Sequence, residues 1–545
     1  MLKRSLSKKS KLERSRDSRF LCFDFLFKLL LCIMPVCFFF SYFPVIRLGS
    51  NETMNFELSL PLIWLVVFDL VGFVELVREK KLLTGLKNKW TWLLLPVWIT
   101  ISVAWSLNVT RGILTAGILW LIYFAGYTMW SLRDWVDVGF RTKWLKWFFG
   151  ATLVVCGWCV LQCVLDLAGI SQDYSLMCDG CKYQMFGFPH PNGFAIEPQF
   201  MGNLLLAPAI VAVWLYVKKQ HNKNLGLERS RGVVFTTAKS DSDLYSSTRS
   251  SSVTVVKTTT GSRFLCPKFL LCYFFAITAT LFLTFSRGAI YAFVVGMLFL
   301  TGFLVFRAKK EKERGKIAKR IGVAWGIVVL SFLFTLNLQG IMAEVSPTND
   351  TYITGVGKVL NHLSLGVIDI RGERESPNSD VSEADLTKKG KDVVENEVVE
   401  NPVENFENNR GESVFDGYVA ESTDTRLRLT GAAIEIWSKD FKTAMIGVGI
   451  GGAGQALYNN NLSPAPKEIV QNEYASLLLE TGIIGVSLLI LCLVLIIRVV
   501  WKTPANAMML ALIVAYGVSL MFFSGLANAL QIYILPTMLY MVFRK

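Results

Sequence analysis

Residues 264–306 read FLCPKFLLCYFFAITATLFLTFSRGAIYAFVVGMLFLTGFLVF. Two apolar runs, 264–285 and 289–306, flank the tripeptide Ser286-Arg287-Gly288. At 1.5 Å per helical residue, each run matches a hydrocarbon layer of roughly 30 Å. Lipid offers no partner for backbone N–H and C=O groups, and a helix satisfies them within itself. The stretch therefore reads as two membrane helices joined at an SRG turn. Similar runs recur at 20–43, 58–76, 92–107, 112–130, 147–167, 201–217, 321–338, 474–497, 505–523 and 532–543. With 52% hydrophobic residues, 18% charged residues and a mean hydropathy of +0.43, the 545-residue chain is too apolar for a soluble protein. The expected fold is all-α, a polytopic membrane bundle of about twelve transmembrane helices. A large, partly helical extracytoplasmic loop separates the ninth helix from the tenth.

The net charge of +14 raises the question of nucleic acid, but the positions of the cations answer it. Basic runs at 1–19, 78–89, 141–146, 218–224, 307–320 and 498–502 all fall between membrane segments, on the side of the N-terminus. The positive-inside rule makes that side cytoplasmic and leaves both termini there. Such runs meet membrane lipids, and no nucleic-acid partner is expected. The chain then divides into a basic N-terminus (1–19), helices one to six (20–217), a Ser/Thr-rich disordered loop (218–263), helices seven to nine (264–341), the extracytoplasmic loop (342–473) and helices ten to twelve (474–545). The first apolar segment is too long for a signal-peptide core and is expected to be retained. Within the large loop, 370–425 is acidic, polar and poor in aromatics, and reads as a disordered insertion. Cys178 and Cys181 form a CDGC step that lacks further metal ligands nearby.

Polar groups that chemistry needs collect on the extracytoplasmic side. Arg287 sits at the SRG turn beside Ser286, either snorkelling to lipid phosphates or offering its guanidinium fork to a diphosphate. The stretch 425–454, TRLRLTGAAIEIWSKDFKTAMIGVGIGGAG, opens an amphipathic helix with Arg426 and Arg428. Residues two apart point to different faces, so one of the two arginines is expected to reach a site. The GVGIGGAG segment satisfies a dinucleotide fingerprint only by accident, since no βαβ context surrounds it. It reads as a tight turn between helices whose N–H groups are available to an anion. Then follows QNEYASLLLETGIIG (471–485), with Gln471, Asn472 and Glu473 before the next membrane helix and Glu480 inside it. A carboxyl so placed needs a partner, an arginine above all, and fixes helix packing or takes part in chemistry. The loop MFGFPHPNGFAIEPQF (185–200) adds His190, Asn192 and Glu197. Arg47 and Arg111 also flank loops on this side.

These residues resemble the O-antigen ligase and polymerase superfamily of bacterial envelope glycan enzymes. The resemblance rests on the SRG turn, the PHPNGFA segment, an arginine opening a helix (Arg426), a GVGxGG turn and a step similar to HN-x-x-L-x-x-L-x-E-x-G. It implies metal-independent glycosyl transfer at the outer face of the cytoplasmic (inner) membrane, without a cofactor. The donor would be a glycan on undecaprenyl diphosphate, and the acceptor a glycan, lipid or protein. Arg287, Arg426, Gln471 and Glu480 are the catalytic candidates by this resemblance, and Ser286, Arg428, Asn472, Asn192 and His190 the substrate-binding ones. Where the family places a histidine, this chain has Gln471, an amide with no capacity as a base. A polymerase of the same superfamily, a transporter of lipid-linked glycans and a non-catalytic carrier-binding protein are the competing readings.

Overall fold

The computed structural model describes residues 24–41, 46–51, 54–82, 90–168, 191–195, 197–224, 266–308, 311–345, 351–368, 370, 415–463, 465–466, 469–523 and 530–543. The first helix, α1, covers residues 24–39. Then come α2 (Leu60–Arg78), α3 (Leu94–Ser102), α4 (Val109–Ser131), α5 (Val138–Leu167), α6 (Pro198–Asn224), α7 (Pro267–Leu283), α8 (Arg287–Arg307) and α9 (Glu311–Val345). The chain continues as α10 (Tyr352–Leu363), α11 (Phe415–Ser438), α12 (Phe441–Ile446), α13 (Ala453–Asn459), α14 (Glu473–Trp501), α15 (Asn506–Ser519) and α16 (Leu530–Phe543). Each apolar run of the sequence coincides with a helix. Among the described residues, seven helices are long and apolar enough to cross a membrane, namely α2, α4, α5, α6, α8, α9 and α14.

One departure from an all-α fold is an antiparallel hairpin between α1 and α2, with β1 (Ile46–Asn51) paired to β2 (Met54–Leu58). Its apolar residues alternate, as at Met54, Phe56 and Leu58, which is the period of a strand and not of a helix. Arg47 pairs in register with Glu57 across this hairpin.

Helix boundaries correct two further expectations. α6 runs to Asn224, past the expected end of the membrane segment at 217. The expected Ser/Thr-rich loop beyond residue 224 lies outside the described residues, as do Cys178, Cys181 and most of the 370–425 insertion. α11 begins at Phe415, inside the stretch expected to be disordered. Phe415, Tyr418 and Val419 already carry the i, i+3, i+4 recurrence that continues at Leu429, Ala432 and Ala433.

α6 is the axle of the bundle. Its residues from Leu204 to Ala212 are almost all inaccessible, and α7, α8, α15 and α16 pack around it. Small residues permit the closest approaches: a Cβ on Gly202 of α6 would stand 2.6 Å from Ala289 Cβ of α8, and one on Gly296 of α8 would stand 2.8 Å from Ala515 Cβ of α15. Small residues at such crossings let apolar helices associate by van der Waals contact where lipid removes the hydrophobic driving force.

Candidate functional site: two arginines among three helix N-termini

The α7–α8 connection reverses direction through Phe285, which adopts φ +50°. This left-handed conformation is disfavoured for a residue with a side chain, so neighbouring contacts must hold it. His362 of α10 does so: its Nε2–H donates to Phe285 O at 2.9 Å. Ser286 then caps α8, its Oγ accepting from Ala289 N at 3.3 Å, and Arg287 becomes the first helical residue, only 6% exposed. Arg287 Nη1 donates to Thr423 Oγ1 of α11 at 3.0 Å. One turn further along α11, Arg426 Nε donates to Gln471 Oε1 at 2.9 Å. The two arginines are thereby tied to successive turns of one helix. Arg428 is exposed, as two-residue spacing on a helix requires.

Gln471 leads into α14, which Asn472 caps: its Oδ1 accepts from Tyr474 N at 3.1 Å and Ala475 N at 3.2 Å. The C-terminal end of α15 joins this start to those of α6 and α8. Glu473 N donates to Leu520 O at 2.9 Å and Tyr474 Oη to Gly517 O at 2.6 Å. Gln199, in the first turn of α6, donates its amide to Phe522 O at 2.7 Å, and a Cβ on Gly288 of α8 would stand 2.7 Å from Phe522 Cβ. Three helix N-termini therefore meet around Arg287 and Arg426. Each brings the positive end of a macrodipole, so the region favours an anion even before the guanidinium charges are counted.

The glycine-rich turn has a different task from the one expected of its N–H groups. Gly482 interrupts α14 with φ +64°, which releases carbonyls that would otherwise bond within the helix. Val448 N donates to Leu479 O at 2.9 Å, Gly449 N to Glu480 O at 3.0 Å, and Trp98 Nε1 to Thr481 O at 3.2 Å. Ile450 N donates to Ser102 Oγ at 3.3 Å, Gly452 N to Gly449 O at 3.0 Å, and Ala453 N to Glu480 Oε1 at 3.2 Å. Gly451 N also bonds the Glu480 carboxylate. These N–H groups are engaged within the protein, so the turn stitches α3 and α14 together. It does not form an open anion nest. Arg111 is the cation whose charge acts on Glu480.

Asn192 belongs to the loop before α6. Its Nδ2 donates to Ala195 O at 2.6 Å, and Gln162 of α5 donates to its Oδ1 at 3.1 Å. His190 lies outside the described residues. Glu197, at the end of that loop, is exposed to solvent yet surrounded by enough protein that desolvation raises its carboxyl pKa, with Arg426 pulling it back down. Among the described residues, no group of three or more His, Cys, Asp or Glu is arranged to hold a metal ion.

Thr423, which bonds Arg287, and the buried polar face of α10, which holds Phe285 through His362, were not singled out in the sequence. Thr423 was one polar residue in a polar tract. Lys358, Asn361 and His362 of α10 are all buried, and their i, i+3, i+4 spacing puts them on one helical face. That spacing was the available signal.

The bundle and its arginine-lined end define an integral membrane protein. Residues 272–490, from α7 into α14, match the Wzy_C family model, described as O-antigen ligase, and this match supports membership of the O-antigen ligase superfamily. The matched span contains Arg287, Arg426 and Gln471. Ligase- or polymerase-type handling of lipid-linked glycan is the general function of that class. No curated protein and no solved structure matches the chain.

Proposed function

We propose that this protein is a metal-independent glycosyltransferase of the ligase type, which moves a glycan from undecaprenyl diphosphate to an acceptor hydroxyl. The reaction runs at the outer face of the inner membrane, in a bundle of about twelve crossings with cytoplasmic termini and a large outward loop. Arg287 and Arg426 hold the diphosphate. The observation that carries this reading is their attachment to successive turns of α11, Arg287 through Thr423 at 3.0 Å and Arg426 beside Gln471 at 2.9 Å, where three helices begin.

As the anomeric C–O bond breaks, negative charge grows on the departing diphosphate. Fixed guanidinium groups and helix N-termini stabilise that charge without reorganising, which is the largest single contribution such a site can make. Gln471 orients Arg426 and offers its amide N–H groups to the acceptor. Asn472 shapes the site by capping α14, and Glu480 supports it from behind by holding the glycine turn.

The test is reconstitution of the full chain in vesicles with an undecaprenyl-diphosphate glycan and a hydroxyl-bearing acceptor, following release of undecaprenyl diphosphate. Release by the wild type, and its loss by about 10²–10³-fold in Arg287→Ala, is expected. Movement of the lipid-linked glycan across the bilayer with no release would contradict transfer and favour transport.

A further inference from the structure

Glycosyl transfer to a hydroxyl needs a group that accepts the hydroxyl proton, and Gln471 lacks that capacity. Among the described residues, two carboxylates of α14 near this end are otherwise engaged. Glu480 is held by Gly451 N and Ala453 N, and Glu473 is buried in the first turn of α14. Glu197 differs from both because it is accessible to solvent. It immediately precedes α6, whose first residues are pinned to the SRG turn. A Cβ on Gly202 would lie 3.3 Å from Ser286 Cβ, and one on Gly288 would lie 3.3 Å from Gln199 Nε2. Arg426, which bonds Gln471, acts on Glu197 through its charge.

We propose that Glu197 is the general base of the transfer, doing what Gln471 cannot. This inference rests on the glycosyltransferase reading above. In the step, the acceptor oxygen bonds to the anomeric carbon while the bond from that carbon to the diphosphate oxygen breaks. The electron pair leaves with the diphosphate, beside Arg287 and Arg426, and the hydroxyl proton passes to the Glu197 carboxylate, which later returns it to water. Partial desolvation makes Glu197 a stronger base than an ordinary carboxylate, and a base works best when its affinity for the proton approaches that of its surroundings. The charged group that acts on it is Arg426 on α11.

The experiment measures kcat, donor KM and donor binding for the reconstituted full chain as wild type, Glu197→Gln and Glu197→Asp, across a range from about pH 5 to 9. In Glu197→Gln, kcat is expected to fall about 10²–10⁴-fold while donor binding stays within about threefold. Glu197→Asp should recover part of the rate. The wild-type rate should decline on the acid side, and that limb should be absent from the residual rate of Glu197→Gln. An unchanged kcat in Glu197→Gln, or a rise in KM alone, overturns the proposal, since Glu197 would then be only an electrostatic neighbour of Arg426. Should Glu197→Gln fail to fold, the wild-type profile and Glu197→Asp decide, and a missing acid limb overturns the proposal. A wild type that binds donor and never releases undecaprenyl diphosphate overturns the transfer reading and this one with it. That outcome is distinguishable because the wild type itself is then inactive.

Discussion

Arg426 and Gln471 lie 45 positions apart in the chain and are joined by an Nε–H···Oε1 hydrogen bond of 2.9 Å. By the sequence resemblance Gln471 takes the place of the superfamily's histidine, and its amide oxygen accepts from the guanidinium. The substitution thus leaves a neutral acceptor on the site arginine. A histidine in the same place would offer one neutral ring nitrogen, or repel Arg426 once protonated.

This bond predicts a measurable coupling. Arg426→Ala should lower kcat/KM by about 10²–10³-fold, and Gln471→Ala by about tenfold, because the amide only orients the charge. A double-mutant cycle between them should give an interaction of about 1.4 kcal/mol, the whole of the tenfold Gln471 effect, since the amide acts only through Arg426. Additive losses would show that the pair does not act as a unit.

The junction between the glycine turn and α14 predicts sharp sensitivity to single methyl groups. Gly482→Ala places a Cβ against Met445 O and forces φ +64° on an L-residue, so a loss of stability above about 3 kcal/mol is expected. Gly447→Ala meets Glu480 backbone atoms in the same way. Gly431, in α11, has open space around it, and Gly431→Ala should raise stability by about 0.5–1 kcal/mol. Thermal unfolding of the purified protein in detergent compares the three.

Glu480 should behave as a structural carboxylate. Glu480→Leu leaves Ala453 N and Gly451 N without their acceptor and should cost about 3 kcal/mol or more, whereas Glu480→Gln keeps one acceptor oxygen and should cost about half as much. If unfolding midpoints of the two variants coincide, the carboxylate is not holding the turn.

His362 predicts an effect on Arg287 from outside the matched arginines. His362→Phe removes the donor that holds Phe285 O and should relax the left-handed turn. Donor affinity is expected to drop about five- to tenfold, on the order of 1–1.4 kcal/mol, with kcat changed less. Equilibrium binding of the lipid-linked glycan is the readout, and a variant that binds like wild type removes His362 from the account.

The Glu197 carboxyl also sets a direction for stability against pH. Its native pKa is raised from the ordinary value of 4.5, by burial first and against the pull of Arg426. The native state therefore keeps this proton where the unfolded chain has lost it. That contribution is full below the unfolded value and disappears as pH rises through the native one. Glu197→Gln should consequently gain in relative thermal stability as pH rises towards neutrality, and a constant difference across that window would count against the shift.

The apolar runs alone determined most of the bundle, because each long run has one way to satisfy its backbone in lipid. Arg287 and Arg426 stood out as candidates for a related reason: on the expected topology they are cations beside hydrocarbon, away from the basic side, against the rule that places the others. The hairpin at Ile46–Leu58 was missed because its alternation is short and sits between two dominant helical signals. The early start of α11 was missed because an acidic, polar composition outweighed a weak apolar recurrence. Only the tertiary structure decided which polar groups meet. Arg287 reaches Thr423 across 136 positions and Arg426 reaches Gln471 across 45, and no local pattern encodes such contacts. Nor does a GVGIGG segment announce whether its N–H groups face solvent or a broken helix. Hydrophobic periodicity acts over a few residues and is written along the chain. Hydrogen-bond partnership depends on which helix ends the packing of the bundle brings together, and that is settled only when α6, α8, α11 and α14 converge.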